Sequence, residues 1–189
     1  MPDQGTAPTT RHHDQSMPMD PSWSAVFPVV AYNMWKYYNC THCIDNEWAG
    51  LQLYYKMLSQ NYSISATTPA KWGDWNPAYP QPRTPDGHGP PMVRTISSIT
   101  AAAMVVQNYD EAEEIARATG RLADAERYNL MLFMFQQQYH NVFFDPIGMV
   151  YGDATPTAFG AALWLGVTPP ALLNDVIEQF VWRLSAVGY

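Results

Sequence analysis

The chain has 189 residues, of which 47% are apolar, 14% aromatic and only 14% charged, and its formal net charge is −7. This length favours one domain with a real core rather than two. The acidic balance argues against nucleic-acid binding, which needs a basic surface, and no apolar run reaches the ~20 residues that would span a bilayer.

Apolar residues recur at steps of three and four along most of the chain, which predicts helices. The first helix follows Asp20-Pro21, an N-cap with a first-turn proline. Pro28 lies early enough either to fit near its first turn or to kink it. A second helix is predicted from near Asp45 to about Gln60.

A non-periodic segment rich in proline occupies residues 61–91. A structureless segment of this length inside a compact domain is usually functional, disordered or misassigned. Helical periodicity resumes at Met92 and continues, as one long helix or two, to Gly120, which is a good C-terminal stop.

The remaining sequence predicts a helix centred on Leu132, a turn at 145–148 and a short helix after Thr155-Pro156. A last helix follows 168–170, with one apolar face. That face is predicted to consist of Leu173, Ile177, Phe180 and Leu184. The chain is therefore predicted to be all-α, with about six helices joined mostly by short turns as antiparallel hairpins.

Two short motifs favour structural interpretations. Cys40 and Cys43 have the spacing of a zinc half-site or a redox pair, but a structural zinc needs four ligands and a redox pair expects a βαβ setting. A helix-linking turn with two thiols is the simpler interpretation. The acidic run at 111–114 is interpreted as the solvent-facing side of a helix. We expect no metal and no cofactor.

The segment Lys71-Trp72-Gly73-Asp74-Trp75-Asn76-Pro77 places an acid between two indoles on a loop rich in glycine and proline. Aromatic faces beside a hydrogen-bonding carboxylate suit the apolar face and hydroxyl edge of a sugar ring. The alternative is that the tryptophans plug helix ends, because tryptophan is highly buried on average.

The order of several motifs resembles one enzyme family. Asp20-Pro21-Ser22-Trp23 leads into an apolar helix, and Gly73-Asp74-Trp75 follows one hairpin later. The segment 93–120 comes next, and 151–158 then heads a short helix that ends at Leu165-Gly166. Together they are similar to the catalytic domain of the α-L-rhamnosidases of glycoside hydrolase family 78. The resemblance implies an (α/α)6 barrel, a toroid of six helical hairpins.

The resemblance also implies roles for individual residues. Tryptophans at the positions of Trp23 and Trp75 line the pocket around the terminal rhamnose, so both are predicted to bind substrate. For Asp74 the resemblance assures no sugar contact. This residue is expected to support the loop by bonding backbone N–H groups and so holding Trp75 in place.

The catalytic pair is the point at which the chain departs from the family. Inverting glycosidases need a general acid and a general base ~6.5–9.5 Å apart, with room for a water. The resemblance implies that the acid lies upstream of Asp20 and the base downstream of the last residue. An internal pair of Asp74 and Asp153 is the less favoured alternative. The catalytic residues are thus unassigned, and we expect an inactive fragment.

These inferences define the expected organisation of the chain. Residues 1–189 are predicted to be part of a six-hairpin glycosidase domain, about half of the toroid, with a loop or tail at 1–19 and a long substrate-side loop at 61–91. The expected partner is a rhamnose-containing glycoside or oligosaccharide, with no nucleic acid and no membrane. Bare flanks of the half-toroid are expected to favour self-association.

A rival hypothesis is a helical-repeat scaffold that binds proteins. The segment 109–128 is similar to a tetratricopeptide hairpin. Such arrays repeat every 34 residues and need at least three copies, and a shift by that period brings no second copy into register. The enzyme fragment is therefore the favoured interpretation.

Overall fold

The structure is a computed structural model of the chain, and it describes residues 21–66 and 95–186. These ranges contain seven α-helices, a 3-10 turn at Pro170–Leu172 and a β-hairpin. The helices are α1 (Pro21–Ser24), α2 (Val26–Tyr38), α3 (Thr41–Asn61), α4 (Ser97–Ala118), α5 (Leu122–Phe143), α6 (Pro156–Trp164) and α7 (Leu173–Ala186). The strands β1 (Phe144–Asp145) and β2 (Val150–Tyr151) pair in antiparallel register. The all-α prediction is confirmed, and the predicted turn at 145–148 connects the two strands.

The predicted first helix is divided into α1 and α2 at Ala25. Pro28 lies in the first turn of α2 and has no N–H to donate to the carbonyl of Ser24, four residues earlier. The regular hydrogen bonds resume at the next residue, where the backbone N–H of Val29 donates to the carbonyl oxygen of Ala25 at 3.0 Å. Pro28 was expected either to fit near the first turn or to kink the helix. It lies in the first turn of α2, and the helix is interrupted just before that turn.

The second helix begins earlier than predicted. α3 starts at Thr41 rather than near Asp45, and a disulfide joins its N-cap, Cys40, to Cys43 in its first turn. The motif was interpreted as a helix-linking turn, and the structure agrees only in part, since Cys40 lies in the link between α2 and α3 and Cys43 lies in α3. The expectation of two free thiols was wrong, because both sulfurs are used in this bond.

The central element of the fold is α4. It continues through Asp110 without a break, so the segment is one long helix rather than two. The chain then turns at Gly120, whose φ is +76°. α4 packs against α2, α5 and α6. Four of its buried positions are alanines, which let the neighbouring backbones approach closely. They are Ala101, Ala102, Ala112 and Ala116.

The helices form three consecutive hairpins, α2/α3, α4/α5 and α6/α7. The leading helices α2, α4 and α6 are neighbours, since α4 contacts both of the others. The core between the hairpins is rich in tyrosine. The rings of Tyr55, Tyr109 and Tyr128 lie 5.0 to 6.2 Å apart, and the Tyr109 hydroxyl donates to the carbonyl oxygen of Tyr55 at 2.8 Å.

The last helix packs through a face that differs from the predicted one. Val176 is completely buried, whereas Leu173 and Ile177 are both more than one third exposed. Phe180 is partly buried against the core and stacks on Phe159 at 5.3 Å. The buried face of α7 is therefore rotated relative to the predicted apolar face, and part of that face is left at the surface. No helix within the described ranges has the length and apolarity to cross a membrane.

The sequence predicted that the acidic run at 111–114 is the solvent-facing side of α4, and for Glu111 this prediction is wrong. Glu111 is buried, and its Oε1 atom accepts a hydrogen bond from Gln107 Nε2 at 2.7 Å, while Oε2 has no hydrogen-bond partner among the described residues. Glu114 accepts a hydrogen bond from the Tyr32 hydroxyl at 2.6 Å and forms an ion pair with Lys36. Glu114 therefore bonds to α2, whereas Glu113 forms an ion pair with Arg117 on α4 itself.

Burial determines how Glu111 affects stability. Desolvation raises the pKa of this carboxyl above its ordinary value, against the smaller lowering effect of the Gln107 hydrogen bond. A carboxyl whose pKa is higher in the folded state costs stability as pH rises through the interval between the unfolded and folded pKa values. Ionisation of Glu111 therefore costs stability at neutral pH.

We expect Glu111→Gln to stabilise the protein at pH 7.5 by about 1 kcal/mol, since the unpartnered ionised oxygen is removed, and to have little effect at pH 4. Urea unfolding at both pH values measures this difference. Glu113→Gln is the matched control on the same helix. It removes a surface ion pair with Arg117 and should give no pH-dependent gain. An equal effect of Glu111→Gln at both pH values would contradict the prediction.

Candidate functional site

The amino-terminal ends of α4 and α6 are joined by direct hydrogen bonds. The hydroxyl oxygens of Thr95 and Thr155 lie 2.6 Å apart, and both residues are buried. Thr155 is also the N-cap of α6, where its hydroxyl accepts from the backbone N–H of Ala158 at 3.3 Å. These contacts position the starts of two leading helices side by side.

Asp153 completes this junction. Its Oδ2 accepts the backbone N–H of Ile96 at 3.0 Å, and its Oδ1 accepts the hydroxyl and the backbone N–H of Thr155 at 2.9 and 3.3 Å. The residues on either side of it, Gly152 and Ala154, both have positive φ. This backbone conformation is unfavourable for Ala154, so the hydrogen bonds of Asp153 hold the turn in place. The carboxylate is a structural link between α4 and α6.

We expect Asp153→Ala to destabilise the protein by about 2 kcal/mol, because it removes three hydrogen bonds to a charged acceptor at a partly exposed position. Glu178→Gln, at an exposed position on α7, is the matched control and should change stability by less than about 0.5 kcal/mol. Thermal and urea unfolding measure both. Equal stabilities of the two variants would show that the junction does not depend on this carboxylate.

Trp23 lies near the start of α1, which packs against α4, and its side chain is 46% exposed. The neighbouring Ser24 hydrogen-bonds to Tyr54, whose hydroxyl accepts from Asn108 Nδ2 at 3.1 Å. The end of α1, at Ser24, is therefore level with the middle of α4, at Asn108. At a rise of 1.5 Å per residue, about 16 Å of α4 separate that level from the junction with α6.

Asp74 and Trp75 lie outside the described residues, as do Trp72 and most of the predicted loop at 61–91. The described residues nevertheless show where both ends of the segment 67–94 are held. The carbonyl oxygen of Ala66 accepts a hydrogen bond from the Ser98 hydroxyl at 3.3 Å, and the segment returns at Thr95. Ala66 and Thr95, the described residues on either side of this segment, therefore both lie beside the start of α4.

One polar network near α2 was not found from the sequence. Burial and the hydrogen bond to Glu114 raise the pKa of Tyr32 to about 12. Desolvation opposes ionisation of Glu114, but its bonds with Lys36 and Tyr32 outweigh that effect and lower its pKa. The three residues connect α2 to α4 over about 80 positions of sequence, and no local pattern indicates such a contact. No three His, Cys, Asp or Glu side chains within 21–66 and 95–186 form a metal-binding group.

The comparisons with known proteins agree with this architecture. The profile of the bacterial alpha-L-rhamnosidase 6 hairpin glycosidase domain matches residues 1–189. The chain belongs to this family of glycoside hydrolase domains, and the resemblance stated from its motifs is confirmed. This result favours the glycosidase interpretation over the tetratricopeptide scaffold.

Two solved structures share the fold. The alpha-L-rhamnosidase from Dictyoglumus thermophilum matches with a TM-score of 0.70 and 21% identity, over 87% of this chain and 18% of that one. The Streptomyces avermitilis alpha-L-rhamnosidase complexed with L-rhamnose matches with a TM-score of 0.68 and 18% identity, over 87% of this chain and 14% of that one. The chain thus spans less than one fifth of either enzyme. A search of curated proteins found no match.

Proposed function

We propose that this chain is the sugar-binding middle part of a catalytic domain that removes terminal α-L-rhamnose from glycosides with inversion of configuration. Family membership supports a glycoside hydrolase, and one structural relative contains L-rhamnose. The observation that carries the proposal for this chain is the position of Trp23. It presents a partly exposed indole in α1, directly before the leading helix α2, where an apolar sugar face can stack on it.

Trp75 is proposed to contact the same sugar from the segment 67–94. It is the ninth residue after Ala66, so an extended chain reaches about 30 Å from that anchor. This reach exceeds the ~16 Å between the level of the anchor and the level of Trp23, measured along α4. We propose that Asp74 supports the loop by accepting backbone N–H groups, which would hold the neighbouring indole in one orientation.

The general acid and the general base are proposed to lie in parts of the domain that this chain does not include. Three acids in the described residues have structural roles that disfavour them as an inverting pair. Asp153 accepts three hydrogen bonds at the junction of α4 and α6, Glu111 is buried, and Glu114 is held by Tyr32 and Lys36. An inverting pair would instead need two carboxyls with space for a water between them.

The first test is a titration with L-rhamnose in which binding is measured by tryptophan fluorescence. We expect Trp23→Ala and Trp75→Ala each to weaken rhamnose binding about tenfold or more, which corresponds to ~1.4 kcal/mol for the loss of one stacking surface. Trp164→Ala is the matched control, since this indole is 70% exposed but lies at the opposite, carboxyl-terminal end of α6. Equal effects of all three substitutions would contradict the assignment of the sugar site.

The second test concerns catalysis. The purified chain should show no turnover of an aryl α-L-rhamnoside above the buffer rate, because the proposal places neither catalytic carboxyl in it. Release of the aryl alcohol, measured by absorbance, gives the result directly. Turnover that is lost in Asp153→Asn but retained in Glu178→Gln would instead favour an internal acid and would overturn the proposed location of the catalytic pair.

A further inference from the structure

A cavity of about 450 Å³ lies between α3 and α5, the second helices of the first two hairpins. This volume is within the range of small-molecule sites. The rings of Tyr55, Tyr109 and Tyr128 belong to its lining and are buried, whereas Lys56 and Arg127 line it at exposed positions. The cavity is therefore an open site with an aromatic interior and two basic side chains toward solvent.

The walls of this cavity are built by helices inside the series of hairpins. Asp124 on α5 joins the two walls, because its Oδ2 accepts a hydrogen bond from Trp48 Nε1 at 3.1 Å and from Gln52 Nε2 at 2.9 Å, both on α3. Tyr109 on α4 lies between them, since its ring is within 6.2 Å of the rings of Tyr55 on α3 and Tyr128 on α5. Hairpins before α2 or after α7 would add to the edges of the ring rather than to this cavity.

The charged residues of the cavity are both basic, although the chain as a whole has a net charge of −7. Arg127 Nη2 forms an ion pair with Asp124 at 2.9 Å and donates to the Tyr128 hydroxyl at 3.2 Å, so Asp124 offsets its charge and fixes its position. Lys56 forms no ion pair with another residue in 21–66 or 95–186. It therefore supplies the net positive charge of the site, which favours an anionic ligand.

A buried hydroxyl in the lining also lacks a partner. Tyr55 is 2% exposed, and its hydroxyl oxygen has no hydrogen-bond partner among the described residues. Its carbonyl oxygen, in contrast, accepts from the Tyr109 hydroxyl at 2.8 Å. A buried polar group without a partner is costly, and each such group in a native protein requires an explanation. A ligand with several oxygen atoms in the cavity would give this hydroxyl its missing partner.

We propose that this cavity binds an acidic sugar, a pyranose that carries a carboxylate. The apolar face of the ring packs on the tyrosines, the carboxylate pairs with Lys56 beside Arg127, and a ring oxygen bonds to the Tyr55 hydroxyl. A saccharide is inferred because the chain belongs to a family of glycoside hydrolase domains. The proposal rests on that membership but not on the rhamnose site, since Trp23 does not line this cavity.

The test is the binding of D-glucuronate to the purified chain by isothermal titration calorimetry, compared with D-glucose, which has the same ring without the carboxylate. We expect glucuronate to bind about tenfold or more tightly than glucose. Lys56→Gln should abolish this preference, because it removes the unpaired cation. Arg117→Gln is the matched control. It removes a cation that is paired with Glu113 on α4 and does not line the cavity, so this variant should bind like the wild type.

Tyr55→Phe tests the buried hydroxyl separately. We expect weaker binding of glucuronate without a loss of stability in urea unfolding, because the hydroxyl has no partner in the free protein. This combination distinguishes a ligand contact from a structural role, which would lower the stability. Unchanged glucuronate binding in this variant would contradict the proposed position of the sugar.

Several results would overturn the proposal. These are no binding of glucuronate, equal binding of glucose, or displacement of glucuronate by acetate or phosphate at equal concentration, which would show a site for free anions. Loss of glucuronate binding in Trp23→Ala with retention in Lys56→Gln would place this ligand at the rhamnose site instead. Rhamnose binding should be unchanged in Lys56→Gln, so failure of the acidic-sugar site and failure of the rhamnose site give different results.

Discussion

The packing of α4 among its neighbours is the interaction on which the rest of this structure depends. α2, α5 and α6 all contact this helix, and α3 reaches it through tyrosine hydrogen bonds. Small alanine side chains allow close approach at several levels, and tyrosines fill the wider spaces between helices. A helix with neighbours on several sides cannot have one wet and one dry face. This is why one of its acidic residues, Glu111, is buried inside the protein.

Polar groups in this core join elements that are far apart in sequence. Asn108 and Tyr109 bond to α3, Glu114 bonds to α2, and Thr95 bonds to the start of α6. Buried hydrogen bonds of this kind add only modest net stability but are costly to leave unsatisfied. They therefore determine which arrangement of hairpins is formed. The same constraint assigns Asp153 to holding two helix ends together.

The packing of the described structure differs between its interior and its two edges. Inside the chain, each hairpin buries its apolar surface against the next one, and at α2 and α7 this repeat stops while the apolar pattern continues. An apolar stripe that extends past the last covered position indicates a further packing partner.

Local patterns were sufficient for the helical class, for most helix boundaries and for the turns at Gly120 and at 145–148, because these depend on neighbours within a few residues. They also carried the family resemblance. Tertiary structure decided the burial of Glu111, the rotation of α7 about Val176 and the role of Asp153. Each of these depends on a side chain more than fifty positions away or on which helix lies alongside. The local pattern of apolar residues does not depend on such distant contacts and so cannot predict them.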